Sequence, residues 1–344
     1  LGGGYDPAHD TNTHPAVDDA QGAAIIMLDL ESGAELWRAS RNGGSNDLNL
    51  ASMKRSIPGG IRVIDISGDG FADRMYAADL GGQILRFDIH NGTTGSGFVT
   101  GGVIAQLGAE GLSGTPSLPD TRRFYTSPDV SLFNSNELDA RFLAISLGSG
   151  YRAHPLDNIN SDRFFSVRDP DVFRQLTQNE YDAYTTITEA DLVEVSGAVR
   201  TQLSITDKGW QFTLPYNQKV LSDSVTFNDS VFFVVFSPEI NVANSCAAGA
   251  GTNFLYQVSV INGDPVVNNL DILAAADADG ARENTLQQGG IAPSPTILFP
   301  SANLSTCTGA ACSPPPIGCV GVECFNPGFD NNPVRTLWTQ DGIQ

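Results

Sequence analysis

The stretch Asp65-Ile-Ser-Gly-Asp-Gly-Phe-Ala-Asp73 decides how the rest of this sequence is interpreted. Oxygen-bearing side chains stand at its first, third, fifth and ninth places, and a glycine stands at the sixth. This is the spacing at the front of an EF-hand calcium loop, where alternate residues direct oxygens at one hard cation and the glycine permits a sharp turn. We therefore expect a calcium site made of three carboxylates, one hydroxyl (direct or through water) and one backbone carbonyl, from Asp65, Asp69, Asp73, Ser67 and Phe71.

Two features separate this loop from an EF-hand. The twelfth place holds Tyr76 instead of a bidentate glutamate, and the flanks Arg62–Ile64 and Arg74–Ala77 are typical of strands, not helices. An alternative is an acidic turn in which the aspartates cap their own backbone. We favour the metal because three carboxylates at this spacing repel one another unless a cation joins them.

Composition predicts an all-β protein. The chain has 344 residues, enough for a large core, and combines 36 Gly and 19 Pro with only 17% charged residues, which favours short strands and many turns over amphipathic helices. The formal net charge of -20 argues against electrostatic binding of nucleic acid or anionic membrane. No apolar run is long enough to predict a membrane span. The chain starts at Leu1 without a recognisable signal peptide, so we expect a processed or truncated part of a longer protein.

Four of the five cysteines lie close together in a proline-rich segment. Their spacing lacks the C-x2-C knuckle of a zinc site, so we expect two disulfides and an oxidising compartment. Pairing the first two and the last two is one of three possible connectivities among Cys307, Cys312, Cys319 and Cys324. The isolated Cys246 is an alternative partner for one of them.

Short apolar runs separated by glycine turns recur along the chain. They are typical of the blades of a β-propeller, and we predict a modified propeller, complete or partial, with a β-sandwich as the alternative. Insertions make the spacing irregular, so the blades cannot be counted. The runs are Ala24–Leu28, Glu35–Arg38, Met75–Asp79, Gln83–Asp88, Phe142–Leu147, Val231–Phe236 and Phe254–Val258.

Several segments depart from the blade pattern within a single domain of residues 1–344. Residues 171–196 are predicted as an insertion over one blade, with helical pieces at Val172–Leu176 and at Thr188–Val193, where Thr188 opens a capping box. Residues 268–290 are predicted as a surface connection and 301–328 as a Cys/Pro-rich loop. Residues 333–338 are a candidate for a last strand that closes the ring.

At this level of detail the chain resembles the PilY family of type IV pilus tip and biogenesis factors. The resemblance begins with the acidic loop and its following strand pair, Asp79-x-Gly-Gly-x-x-x-Arg-Phe-Asp88, and covers most of the chain. No single motif decides the resemblance; the order of the motifs along the chain does. The further matching pieces are Gly3–Asp6, Arg122–Tyr125, Gly148–Pro155, Lys208–Trp210, Lys219–Leu221, Phe232–Pro238 and Arg335-x-x-Trp338.

The resemblance implies a calcium-regulated domain at the tip of a pilus. In this family the C-terminal region is a modified propeller that works with minor pilins, promotes pilus assembly and extension, opposes retraction, and supports twitching motility and adhesion. The calcium roles carry over to Asp65, Asp69, Phe71 and Asp73, whereas Ser67 replaces the more usual Asp or Asn. The implied location is extracellular, after export through the periplasm of a Gram-negative bacterium. The family's N-terminal adhesive region, which contacts host or abiotic surfaces, is absent from this sequence.

Two other function classes are alternatives to a pilus protein. A quinoprotein dehydrogenase uses a propeller with calcium and pyrroloquinoline quinone, but its metal lies on the central axis, whereas all ligands here fall within nine residues. We therefore predict no enzyme activity, with His154 holding a turn and each tryptophan packing between blades, namely Trp37, Trp210 and Trp338. A carbohydrate-binding propeller is the second alternative, with Tyr5, Tyr151 and Tyr184 as candidate stacking residues. His9 and His14 are predicted to be surface residues.

Overall fold

The computed structural model describes residues 1–11, 18–41, 47–112, 117–135, 140–195, 203–238, 250–266, 282–300 and 315–328. Strands dominate these ranges and form five separate sheets. Helical structure there is confined to one α-helix, α1 (Gln178–Asp182), and five short 3-10 turns. In the described ranges, no helix has both the length and the apolar character that a membrane span requires.

The five sheets follow one another in chain order, and most of their strands are antiparallel. The first contains β1 (Ala24–Leu28), β2 (Glu35–Ser40) and β3 (Leu48–Asn49). The second contains β4 (Arg62–Ile64), β5 (Arg74–Ala78), β6 (Gln83–Ile89), β7 (Val99–Gln106) and the later strand β11 (Ile187–Thr188). The third contains β8 (Asp129–Ser135), β9 (Ala140–Gly148), β10 (Arg163–Asp169), β12 (Val193–Glu194) and β13 (Gly209–Thr213).

The fourth and fifth sheets complete the series. The fourth contains β14 (Lys219–Val220), β15 (Val225–Phe227), β16 (Ser230–Ser237), β17 (Thr252–Ser259) and β18 (Glu283–Leu286). The fifth contains β19 (Thr296–Leu298), β20 (Ile317–Val320) and β21 (Glu323–Phe325). The predicted strand runs lie in these elements, except that Asp79 follows the end of β5, so the prediction of an all-β chain built from short hairpins is confirmed.

Consecutive sheets pack face to face, which buries the middle sheets on both sides. In the second sheet, Leu85 and Phe87 lie in one core with Trp37 of the first sheet. Their neighbour Ile84 points the other way, into a core with Phe165 of the third sheet. Because successive side chains of a strand point to opposite faces, β6 contributes to both cores at once.

The run Val231–Phe236 shows the same principle in the fourth sheet. Phe233 lies in a core with Trp210 of the third sheet, and Phe232 lies in a core with Phe325 of the fifth. A strand buried on both faces is continuously apolar, which explains why this run does not alternate. Five sheets stacked in chain order are blades of a propeller-like fold, and the β-sandwich alternative is wrong.

The described tryptophans pack between sheets, as predicted. Trp37 is 1% exposed and meets Phe87 edge-on at a centroid distance of 5.9 Å. Trp210 is 1% exposed and stacks on Phe164 at 6.0 Å. Trp338 and the predicted closing strand at 333–338 lie outside the described residues.

The insertion at 171–196 differs from the prediction. Residues 172–176 are not helical; the helix is instead α1, which begins after a capping box at Thr177. The capping box at Thr188 is confirmed, but it opens a 3-10 turn of three residues, Glu189–Asp191. The segment does not lie over one blade, because β11 pairs with β7 of the second sheet and β12 pairs with β13 of the third.

Two predictions near the C-terminus are settled in part. Residues 268–290 are not a surface connection throughout, because 283–286 form β18, which pairs with β17. Cys319 and Cys324 face each other across the hairpin of β20 and β21 and are joined by a disulfide. Cys246, Cys307 and Cys312 lie outside the described residues, so the second disulfide stays a prediction.

Candidate metal centre

The acidic loop closes a β-hairpin between β4 and β5. Ile64 and Arg74 are cross-strand partners, and the Asp73 amide donates to the Ile64 carbonyl at 2.9 Å. Residues 65–73 therefore leave and re-enter the same sheet at adjacent positions. The prediction that strands, not helices, flank this loop is confirmed.

Asp65 organises the first half of the loop through its carboxylate. Its Oδ1 accepts from the Gly68 amide at 2.6 Å and from the Asp69 amide at 3.3 Å, and its Oδ2 accepts from the Gly70 amide at 2.8 Å. The Ser67 hydroxyl adds a bond to Oδ1 at 3.3 Å. These bonds wind the backbone around one carboxylate, as an Asx turn does on a smaller scale.

The other two aspartates hold the second half of the loop. Asp73 Oδ2 accepts from the amides of Ile66 and Ser67, each at 2.8 Å. Asp69 Oδ1 accepts from the Phe71 amide at 2.8 Å. All three carboxylates thus cap backbone amides, which is the arrangement of the alternative considered from the sequence.

The glycine at the sixth place is required by backbone conformation and not by space. Gly70 has φ of 91°, in the left-handed region, and a Cβ built there meets no atom within 4 Å. Gly68 has φ of 75° and is equally free of neighbours. Glycine adopts such angles at little cost, whereas other residues do so rarely.

The loop is strongly anionic. Its backbone hydrogen bonds, foremost that from Gly70, hold the pKa of Asp65 below its ordinary value. Among the described residues, no Arg, Lys or His forms an ion pair with Asp65, Asp69 or Asp73. Arg74, the cationic residue nearest to the loop in sequence, is buried and paired with Asp88. The negative charges of the loop are therefore not compensated by a cationic side chain in the described ranges.

The donor set fits calcium in chemistry. Carboxylates, a hydroxyl and a backbone carbonyl are the oxygen ligands that this ion takes, and the Ser67 hydroxyl, which donates its proton to Asp65, keeps its lone pairs for a cation. In the described ranges, no three His, Cys, Asp or Glu side chains are already grouped as metal ligands. Binding at this loop therefore needs rotation of the aspartate side chains toward one point, which the exposure of Asp65 and Asp69 permits.

A buried ion network lies directly below the loop. Arg74 Nε donates to Asp88 at 2.6 Å, and Arg86 contacts both Asp88 at 2.9 Å and Asp169 at 3.0 Å. These four side chains are each at most 2% exposed and their charges cancel. The hydroxyl of Tyr76, at the twelfth place, donates to Asp169 at 2.5 Å. The sequence comparison singled out the Arg-x-Asp pair of β6, but nothing local pointed to Asp169 on another sheet.

The same network fixes the start of the insertion. Arg74 donates to the carbonyls of Asp171 at 2.9 Å and Arg174 at 2.8 Å. Asp88 Oδ2 accepts from the Leu176 amide at 2.8 Å and from the Tyr181 hydroxyl at 2.7 Å. Buried charges therefore bond to the backbone of residues 171, 174 and 176, which explains why this segment does not form the predicted helix.

The loop and the insertion border a common cleft. It has a volume of about 260 Å³ and is lined by Ile66, Ser67, Asp73, Arg74, Val172, Phe173 and Gln175. Phe173 is 63% exposed at this place. A change in the loop therefore acts on a surface formed with the insertion.

The remaining candidates from the sequence have structural roles. His9 is not a surface residue, since it is 4% exposed and its Nε2 lies 2.8 Å from Asp19. His154 packs edge-on against Tyr151 at 4.8 Å, in agreement with a turn-holding role. Tyr151 is fully buried, so it is not available for stacking on a sugar, and Tyr184 packs partly buried against a core. His14 lies outside the described residues.

The stacked sheets define the chain as a β-propeller-like domain. A solved structure of similar fold is the C-terminal domain of Pseudomonas aeruginosa PilY1, with a TM-score of 0.58 and 16% sequence identity over 89% of this chain and 67% of that chain. No protein-family model and no curated protein sequence matches the chain. The resemblance to the PilY C-terminal region is confirmed at the level of fold.

Proposed function

We propose that this chain is a calcium-binding domain of a type IV pilus tip, where it promotes pilus assembly and extension and opposes retraction. The observation that carries the proposal is a hairpin loop with three carboxylates that no cationic side chain of the described residues pairs, in a fold similar to the PilY1 C-terminal domain. Twitching motility and surface adhesion follow from that role. The expected location is the outer surface or pilus tip, with minor pilins as partners.

Calcium is proposed to act by neutralising the loop. Asp65, Asp69 and Asp73 supply carboxylates, Ser67 a hydroxyl and Phe71 its carbonyl. The loop lacks the bidentate glutamate of an EF-hand, so we expect a dissociation constant of about 10⁻⁴–10⁻³ M, the range of extracellular calcium modules. At a hundredfold excess of calcium, the stabilisation would be about 2.7 kcal/mol. This is enough to bias the position of one hairpin without determining the fold.

The buried ion network connects the loop to a surface that a partner can contact. Asp73 lines the cleft below the loop, and the adjacent Arg74 holds residues 171–174 by their carbonyls. Ordering Asp73 around a cation would therefore order the cleft wall that carries Phe173. We propose this surface, formed by the loop and the insertion, as the part of the domain through which calcium affects pilus partners.

A calcium titration of thermal stability tests the metal site. The double variant Asp69→Asn/Asp73→Asn keeps an acceptor oxygen for each backbone amide but removes two charges. We expect calcium to raise the melting temperature of the wild type and to leave that of the variant almost unchanged. Asp29→Asn is the matched control, because Asp29 also caps an exposed turn, accepting from the Ser32 amide at 2.7 Å, but stands outside the acidic loop. Equal gains in wild type and double variant would refute the site.

A genetic test addresses the pilus role separately. In the source bacterium, deletion of the full-length gene should reduce surface pili and twitching, and a second deletion that blocks retraction should restore pili. The double variant in the full-length protein should make piliation insensitive to external calcium. Normal piliation and twitching in the complete absence of the protein would overturn the pilus proposal while leaving the calcium result intact.

The chain is not proposed to be an enzyme. A quinoprotein needs a quinone site on the propeller axis with polar groups from several blades and commonly a stacking tryptophan. In the described ranges, Trp37 and Trp210 are both buried in cores between sheets. This argues against the quinoprotein alternative, which an activity assay tests below.

A further inference from the structure

The linkers between sheets share a structural position that the strand spacing does not reveal. Gly60, Ser127, Asp223 and Ser294 each stand two residues before a strand that opens an antiparallel meander, namely β4, β8, β15 and β19. The residue types differ, but the position is the same in four successive sheets. In a propeller, equivalent positions of successive blades are arranged around a common axis.

Direct contacts join these linkers to one another. Gly59 passes so close to the next linker that a Cβ there would lie 2.7 Å from the Thr126 carbonyl oxygen. The Ser127 amide donates to Asp223 Oδ1 at 3.0 Å. Asp223 in turn is bonded to Ser294, whose hydroxyl accepts from the Asp223 amide at 3.0 Å and donates to Oδ2 at 3.1 Å. The four linkers thus form a continuous wall.

This wall encloses a polar cleft of about 520 Å³, within the size range of small-molecule sites. Thr126 and Ser222 line it and are only 8% and 7% exposed. Neither hydroxyl bonds to another described residue, and both hydroxyl oxygens remain accessible from the cleft. Both can therefore donate to and accept from a molecule that enters it.

Charged and aromatic groups surround these hydroxyls. Arg152 lines the cleft, donates from Nη1 to the Leu221 carbonyl, and forms no ion pair with a described carboxylate, so most of its five donors remain available. Asp223 supplies a carboxylate. Tyr125 lines the cleft and packs against Tyr5 at 6.1 Å. Burial raises the pKa of Tyr125 to about 12, so its hydroxyl stays neutral.

We propose that this cleft binds a neutral pyranose sugar. One guanidinium and one carboxylate leave no net charge to select an ion, while hydroxyls, a tyrosine ring and glycine backbone offer many donors and acceptors over a short distance. A ligand with several hydroxyls on a compact ring satisfies such a set, whereas an anion would meet the carboxylate of Asp223 and an apolar ligand would displace water from the hydroxyls without replacing its hydrogen bonds. Residues 65–73 do not line the cleft, so sugar binding is independent of the calcium site.

Ligand-observed NMR with defined sugars tests the proposal. The probes are the methyl pyranosides of glucose, galactose, mannose and N-acetylglucosamine, each at millimolar concentration, with acetate and inorganic phosphate as anionic probes. We expect saturation transfer to at least one pyranoside and none to the anions. Absence of transfer to all four pyranosides, or transfer to the anions alone, would overturn the proposal.

Three variants locate the binding. Arg152→Ala and Thr126→Val should each weaken the pyranoside signal at least tenfold, because each removes a hydrogen-bonding group with little change in the fold. Arg38→Ala is the control: Arg38 is a partly exposed arginine of the first sheet, outside the cleft, and its loss should leave binding unchanged. Melting curves of all variants show whether they fold. Binding that survives both cleft substitutions in folded protein would place the sugar elsewhere and refute the site.

Discussion

The Nε of Arg74 donates to Asp88 Oδ1 at 2.6 Å, and both side chains are almost fully buried between sheets. Two arginines and two aspartates share this interior, so each charge is compensated. Ionised groups are costly to bury, and a network of this kind is tolerated only while all its members are present. The acidic loop above it and the insertion beside it therefore depend on the same four side chains.

Asp88→Asn should be among the most destabilising single substitutions in the domain. Asp88 accepts bonds from Arg74, Arg86, Tyr181 and the Leu176 amide, and its loss would leave an unpaired positive charge inside. Removal of one partner of a buried ion pair costs about 3–5 kcal/mol. Urea unfolding of wild type and variant measures the difference in the free energy of unfolding.

Asp171→Asn is the matched control for that experiment. Asp171 pairs with Arg174, but the arginine side chain is 55% exposed, so the pair is solvated. Exposed ion pairs contribute about 0–1 kcal/mol. If Asp88→Asn costs no more than Asp171→Asn, the buried network does not hold the insertion.

Gly70→Ala should destabilise the acidic loop through its backbone alone. The residue has φ of 91°, and no atom would crowd a new methyl group. A non-glycine residue held in such a conformation costs about 1–3 kcal/mol. The calcium-induced rise in melting temperature should also shrink, because the turn that orients the ligands is strained.

Gly60→Ala is the control for Gly70→Ala, because it adds the same methyl group at a position without backbone strain. The nearest atom to a Cβ at Gly60 is the Ser127 Cβ at 3.5 Å, an ordinary contact, and the backbone φ is not in the left-handed region. We expect a change within about 0.5 kcal/mol, as for most unstrained substitutions. A larger loss at Gly60 than at Gly70 would contradict the account of the loop.

Local signals predicted the strands well. Runs such as Val231–Phe236 are continuously apolar because both faces of the sheet are covered, and the glycines after them permit tight turns. The capping box at Thr188 was equally visible, since its partner is three residues away. Signals of this kind depend only on neighbours in sequence, so they survive in the folded chain.

The errors of sequence interpretation arose where distant residues decide local structure. Residues 172–176 have a helical pattern, but Arg74, Arg86 and Asp88 bond to their backbone or that of adjacent residues and keep them out of a helix. The blades could not be counted from the sequence because the repeated position lies in the linkers, where Gly60 and Ser127 share a position and not a residue type. His9 looked like a surface residue because nothing near it in sequence indicates its partner Asp19.

Asp79 should make the domain less stable as the pH rises. Its Oδ1 accepts from the amides of Gly81 and Gln83, whereas its Oδ2 has no hydrogen-bond partner among the described residues. Burial raises the pKa of Asp79 from 3.8 to about 7. The folded state therefore binds a proton more tightly than the unfolded state, and the stability gained from protonated Asp79 is lost as the pH rises from about 4 through 7.

The comparison with Asp79→Asn isolates this contribution from all other titrating groups. Asparagine keeps an acceptor for the two amides and does not ionise. The free energy of unfolding of the wild type relative to the variant should fall by up to about 4 kcal/mol between pH 4 and pH 8. A difference that is constant over this range would show that Asp79 is not protonated in the folded protein at low pH.

Thiol counting tests the predicted disulfides. Cys319 and Cys324 are joined in the structure, which leaves Cys307 with Cys312 as the second pair if both predicted disulfides lie within the cluster of four. Denatured, unreduced protein should therefore show one reactive thiol out of five cysteines, from Cys246. Three reactive thiols would mean that only the hairpin disulfide forms, and five would exclude both.

Addition of pyrroloquinoline quinone and calcium should give no alcohol-dependent reduction of an artificial electron acceptor. The acidic loop is a self-contained turn on one sheet, with all its proposed ligands within nine residues, which favours a structural or regulatory ion over a Lewis acid beside a quinone. The described residues that line the linker cleft include no tryptophan and only one aromatic side chain, Tyr125. A bound quinone would need an aromatic or apolar wall for its ring system, and the hydroxyls of three linkers do not provide one. Turnover that depends on both additives and is abolished by Arg152→Ala would reverse this conclusion and assign the cleft to catalysis.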